Sequence, residues 1–77
     1  MSTAFVLINT ETGSVKDVLE DLKKVEGVDE AFIVYRVYDI VAKVSVKSMN
    51  QLKEIVTWHI RKTDKVRQTL TMMIIEN

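Results

Sequence analysis

The sequence contains no cysteine and no proline, only two glycines, a single histidine, and no surplus of charge of either sign. Without cysteine there is neither a disulfide scaffold nor a thiolate metal site, and nothing points to an oxidising compartment, so a reducing cytoplasm is the expectation. With Gly and Pro nearly absent, the composition is that of a compact folded protein rather than a tail or linker, and every part of the chain is expected to be structured. Eleven basic residues balance eleven acidic ones, which removes the electrostatic footprint of a sequence-independent DNA or RNA binder. The one basic cluster, Arg61, Lys62, Lys65 and Arg67, surrounds a predicted helix end, where cations suit the dipole. The apolar run Ala4 to Ile8 is too short for a signal or membrane segment, so no membrane partner is expected.

What is present is 77 residues, 47% of them hydrophobic. That length allows one domain, residues 1–77, and makes self-association a source of extra stability. Thr3 to Asn9 is an almost unbroken apolar run ended by the polar stretch Asn9 to Gly13, which reads as a strand buried on both faces. From Ser14 the period changes, with Val15, Val18, Leu19, Leu22 and Val25 on one stripe, predicting an amphipathic helix capped by Ser14 and closed by Gly27. Glu30 to Val37 and Tyr38 to Lys47 are rich in β-branched and aromatic residues and predict a tight hairpin. Ser48 and Gln51 form a capping box opening a second helix, whose stripe is Leu52, Ile55, Val56, His59 and Ile60. Val66 to Glu76 closes the chain as a last strand.

This order, βαββαβ, fits an α+β, ferredoxin-like split βαβ sandwich with two helices on one face of an antiparallel sheet. The other face should then be polar. Yet Ala4, Val6 and Ile8 alternate with Phe5 and Leu7, and Leu70, Met72 and Ile74 alternate with Met73 and Ile75, so both parities are apolar. A homodimer packed sheet to sheet is the economical expectation.

Chemistry is hard to find. His59 falls mid-stripe and is expected to be a core residue with one hydrogen-bond partner. One His, no Cys and no clustered carboxylates do not make a metal site, and no nucleophile sits beside a base. Gly13 and Gly27 are isolated, so no phosphate cradle and no cofactor are expected. The unusual segment is Tyr35-Arg36-Val37-Tyr38-Asp39 at the hairpin tip. Asp39 reads equally as a turn former tying down backbone amides, or as the carboxylate of a site that holds an amino acid's ammonium while backbone amides hold its carboxylate.

Tyr38-Asp39-Ile40-Val41 after a strand, and Val66-x-x-Thr69-x-Thr71 opening the last strand, resemble the effector (RAM-type) domain of the Lrp/AsnC family of transcription regulators. The likeness spans the chain and includes Ala4 to Ile8, the Glu26-Gly27-Val28 turn and Leu70-Thr71-Met72. The resemblance implies an αβ sandwich that dimerises through its sheets, assembles further into rings of dimers, and binds small effectors, usually amino acids, between dimers. It is to the stand-alone version, without the helix-turn-helix of the family's longer members. The family's Gly-x-Tyr-Asp type motif aligns with Arg36, Val37, Tyr38 and Asp39, so Arg36 stands where glycine is common. The implied ligand contacts are Asp39 to the ammonium, amides near Arg36 and Val37 to the carboxylate, and Thr69 and Thr71 orienting the site. The expected function is an amino-acid-sensing, oligomerising, non-enzymatic module that modulates a DNA-binding relative. The alternatives are a purely structural assembly partner and a small dimeric αβ-barrel enzyme built around His59.

Overall fold

A computed structural model describes residues 1–75. The double-sided apolar run becomes β1, Ser2–Thr10, an inner strand of a four-stranded antiparallel sheet ordered β2-β3-β1-β4. After it come α1, Val15–Lys23, β2, Val28–Ile33, β3, Ile40–Val46, and α2, Met49–Glu54, which continues as a π-helical segment over Ile55–Ile60. The last strand, β4, is Val66–Met73. It was expected to reach Glu76, a residue outside the described ones.

Strand alternation sorts the side chains. Ala4, Val6 and Ile8 of β1 and Ile40, Ala42 and Val44 of β3 join Val18 and Leu22 of α1, Leu52 of α2 and Ile60 in one buried core, so both helices cover the same sheet face. Each fully buried aliphatic side chain contributes roughly 1.5–3 kcal/mol. On the opposite face Phe5 pairs with Met72, and Leu7 with Leu70 and Val41. Leu70 and Met72 are 47% and 48% exposed. The second face therefore carries the aliphatic surface that the alternation implied.

The ends of the elements depart from expectation in informative ways. Ser14 occupies the N-cap position of α1, yet its side chain makes no capping hydrogen bond. Ser48 does cap α2, its Oγ accepting from the Gln51 N–H at 3.2 Å. The reciprocal bond from the Gln51 side chain reaches one residue further than in the usual box, accepting from the Lys47 N–H at 3.1 Å. Gly27 does not close α1 directly, because the helix ends at Lys23. It lies in the following turn, where the Val28 N–H donates to the Val25 carbonyl at 3.2 Å and Gly27 takes φ +99°, as the third residue of a type II turn requires.

His59 is exposed, contrary to the expectation of a core residue. The cause is the π segment, in which hydrogen bonds span five residues instead of four, as between the Arg61 N–H and the Val56 carbonyl at 3.0 Å. The wider turn brings Ile60 to the inward position that α winding assigns to His59. Ile60 is accordingly buried.

Gly27 also lies under this segment: a Cβ there would stand 2.5 Å from Ile55 Cδ1 and 3.1 Å from Val46 Cγ1, whereas one on Gly13, at φ +81°, would meet nothing within 4 Å. Gly27→Ala should therefore cost about 2–4 kcal/mol, from backbone strain plus overpacking, and Gly13→Ala about 1–2 kcal/mol, from backbone strain alone. Urea midpoints for the two variants measure the difference, and equal losses would refute the steric part.

Candidate functional site

The hairpin tip is longer than its sequence suggests. Val34 and Val37 resemble strand residues, but β2 stops at Ile33 and β3 begins at Ile40, leaving a six-residue loop, 34–39. The Val34 N–H donates to the Asp39 carbonyl at 2.8 Å and closes it. Within the loop Tyr35 and Val37 are 89% and 77% exposed, while Tyr38 and Asp39 are half-buried. Among the described residues, the N–H groups of Tyr35, Arg36, Val37 and Tyr38 make no intramolecular hydrogen bond.

Asp39 is tied to β1. Its N–H donates to the Ile8 carbonyl at 3.0 Å, and its Oδ2 accepts from the Thr10 N–H at 2.8 Å and the Thr10 hydroxyl at 3.2 Å. The carboxylate thus takes the place of a strand carbonyl and extends the β1–β3 ladder one step past the end of β3. The Asp39 side chain does tie down a backbone amide, through Oδ2, but that amide belongs to Thr10 on β1 and not to the turn itself. Oδ1 has no hydrogen-bond partner among the described residues.

Arg36 has φ +119°, a region that favours glycine and costs any other residue on the order of 1–3 kcal/mol. Its guanidinium lies 5.8 Å from the Tyr35 ring centroid and makes no ion pair among the described residues.

Thr69 and Thr71 are not part of this cluster within one chain. Thr69 pairs with Ile8, which pairs on its other side with Ile40, and Thr71 pairs likewise through Val6 to Ala42. Both threonines therefore share the helix-facing side with the core and sit two strand spacings, about 10 Å, from β3. The structure brings Arg36, Val37, Tyr38 and Asp39 together and leaves the threonines across β1. The residue that sequence reasoning missed is Thr10. Its role depends on the β1–β3 register, which only the assembled sheet defines.

Exposed His59 lies on the rim of an open cleft whose walls include Gly27, Val46, Lys47, Glu54 and Ile55. No group of three His, Asp or Glu side chains that could hold a metal ion occurs among the described residues. Nor is any helix among them long and apolar enough to cross a membrane.

The Lrp/AsnC ligand binding domain model matches residues 3–77. The chain belongs to that family. An uncharacterized HTH-type transcriptional regulator of Pyrococcus furiosus is 37% identical over 75 residues, which cover 94% of this chain and 50% of the regulator. The chain spans about half the length of the curated relatives it matches. A crystal structure from Thermus thermophilus superposes with a TM-score of 0.95 at 32% identity, covering 100% of this chain and 96% of the other. A feast or famine regulatory protein from M. tuberculosis, solved in complex with L-methionine, is 28% identical with a TM-score of 0.82, covering 100% of this chain and 52% of that one. The Lrp/AsnC domain is thus found in transcription regulators, and at least one such regulator holds an amino acid.

The Asp39 clasp generates a direct test. Asp39→Ala should destabilise the domain by about 1–2 kcal/mol, because the Thr10 amide loses a charged acceptor, while Thr10→Val keeps the amide bond and should cost roughly half as much. Chemical denaturation together with hydrogen exchange at the Thr10 amide reads both; unchanged exchange in Asp39→Ala would contradict the bonding described.

Proposed function

We propose that this chain is an effector-binding module that senses an amino acid, associates through its open sheet face, and acts by modifying a transcription regulator of its own family. The observation that carries the reading is the hairpin tip, where four backbone N–H groups lie in sequence next to a carboxylate, and neither those groups nor its Oδ1 has a hydrogen-bond partner among the described residues. Amide donors and a carboxylate are the groups that hydrogen-bond the carboxylate and the ammonium of a zwitterion. The amino acid in the related M. tuberculosis regulator supports the ligand class. In this reading Asp39 Oδ1 meets the ammonium and the amides of Arg36 and Val37 meet the carboxylate. Tyr38 walls the site, and Thr69 and Thr71 act from another subunit, since within one chain they stand across β1.

The open face is the proposed dimer surface, with Phe5, Leu7, Val41, Leu70 and Met72 at its centre. A monomer that leaves this patch in water forgoes roughly 25 cal/mol for each Å² that a second copy would cover. Further assembly of dimers would place hairpin tips against neighbouring subunits, and a ligand bound only in that arrangement stabilises it by mass action.

A purely structural role is favoured by one observation: Asp39 already spends Oδ2 on Thr10. The enzyme reading needs a sheltered cavity around His59, and that residue stands exposed beside an open cleft.

Size-exclusion and thermal-shift measurements against the twenty amino acids separate the first two readings. At least one amino acid is expected to raise the melting midpoint and increase the assembled fraction. If none does, the structural role stands and sensing does not. Independently, Leu70→Glu should shift the native assembly toward monomer, since a carboxylate at the centre of an apolar interface is left unpaired.

A further inference from the structure

The open sheet face is apolar except for one charged row. The strand register puts Lys43 of β3 on the same side as Phe5, and the row across the sheet there runs Glu30, Lys43, Phe5, Met72. The next row, Phe32, Val41, Leu7, Leu70, is wholly apolar. Among the residues that the register pairs on this face, Lys43 is the only cation and Glu30 the only carboxylate. Lys43 is half-buried, whereas Glu30 is exposed on the edge strand β2. Directly opposite residues stand about 5 Å apart at Cβ, within reach of both side chains. Among the described residues neither of them makes an ion pair, as befits two charges that water still solvates. Covering the face changes that balance, because an ammonium sealed against apolar groups without a counter-charge is strongly destabilising. Phe5 and Met72 close one side of Lys43, so its shortest way out of a covered face, one strand spacing of about 5 Å, leads past Glu30.

We infer that Glu30 is the counter-ion of Lys43 within each chain when the open face is covered, and that this pair is what fits the face to a second copy. The inference rests on the reading of the open face as a dimer surface and goes further than it. Two identical faces that each brought a lone Lys43 would seal two like charges into one interface. With the cross-strand pair closed inside each chain, both faces are neutral and need no charge from the other side. A partner that brings a net charge to this row leaves it uncompensated, so the row also discriminates against such partners.

The test measures the dimer dissociation constant by sedimentation equilibrium for the native chain, Glu30→Gln, Lys43→Met and the double variant, with circular dichroism to show that each is folded. Glu30→Gln should raise the constant by about tenfold or more, because Lys43 loses its counter-ion. Lys43→Met should leave it unchanged or lower it, since the remaining carboxylate stays at the wet edge. In the Lys43→Met background, Glu30→Gln should change it by less than about twofold, and that non-additivity identifies the pair. Mixing Lys43→Glu with Glu30→Lys tells which chain supplies the counter-ion. A pair within one chain leaves each variant with its own like-charge clash, so mixing rescues nothing; a mixed dimer tighter than either parent overturns the assignment. The inference also fails, with the dimer intact, if Glu30→Gln changes nothing or weakens association equally with and without Lys43. If the native chain sediments as a monomer, or Leu70→Glu leaves its dimer intact, the open-face reading itself fails and the pair falls with it.

Discussion

The whole architecture turns on β1 having to be covered on two sides. Ala4, Val6 and Ile8 are fully buried under the helices, while Phe5 and Leu7 look the other way and are only half-buried. A chain this short has two helices to offer, and the order of its elements puts both on one face. Everything else follows from how that shortage is met. The core side is uniformly aliphatic, and the second side keeps an apolar centre, with Lys43 directly across from Phe5 and the Thr3–Ser45 pair at one end. A fold of this kind is complete as topology before it is complete as burial, and its second sheet face keeps apolar surface that its own helices do not reach.

The hairpin tip obeys a different economy. Where the core accepts only apolar groups, the loop after β2 concentrates unspent donors, a positive-φ arginine and a half-used carboxylate within four residues. One end of that segment is held firmly, since Asp39 is bonded to β1 through its N–H and through Oδ2. The other end, at Tyr35 and Arg36, is exposed. A rigid anchor next to accessible polar groups is the arrangement in which a small ligand is met by a preformed rather than an improvised surface.

Much of this was readable from residue order. The period change at Ser14, the Ser48 and Gln51 cap and the two-sided apolar alternation of β1 and β4 specify the element order and the bare second face, because each depends on neighbours in sequence. Three features were not readable, one because of winding within a helix and two because of pairing between strands. His59 was assigned inward because a helical wheel presumes a constant turn, and the π segment changes the turn partway along. Asp39 could not be assigned between turn former and ligand group, because its partner Thr10 is set by the register of β1 on β3. Thr69 and Thr71 were joined to the tip through resemblance, while within one chain their strand lies on the far side of β1 from β3. Local pattern identifies elements; contacts between elements decide what each polar group is for.

The π segment over Ile55–Ile60 has a further consequence for chain length. A helix that bonds across five residues holds more chain than the same rise requires, so the segment stores slack at the one place where the second helix passes over Gly27. The second helix is therefore loosely wound along the chain and closely seated beneath it, where bulk added at Gly27 meets Ile55 and Val46.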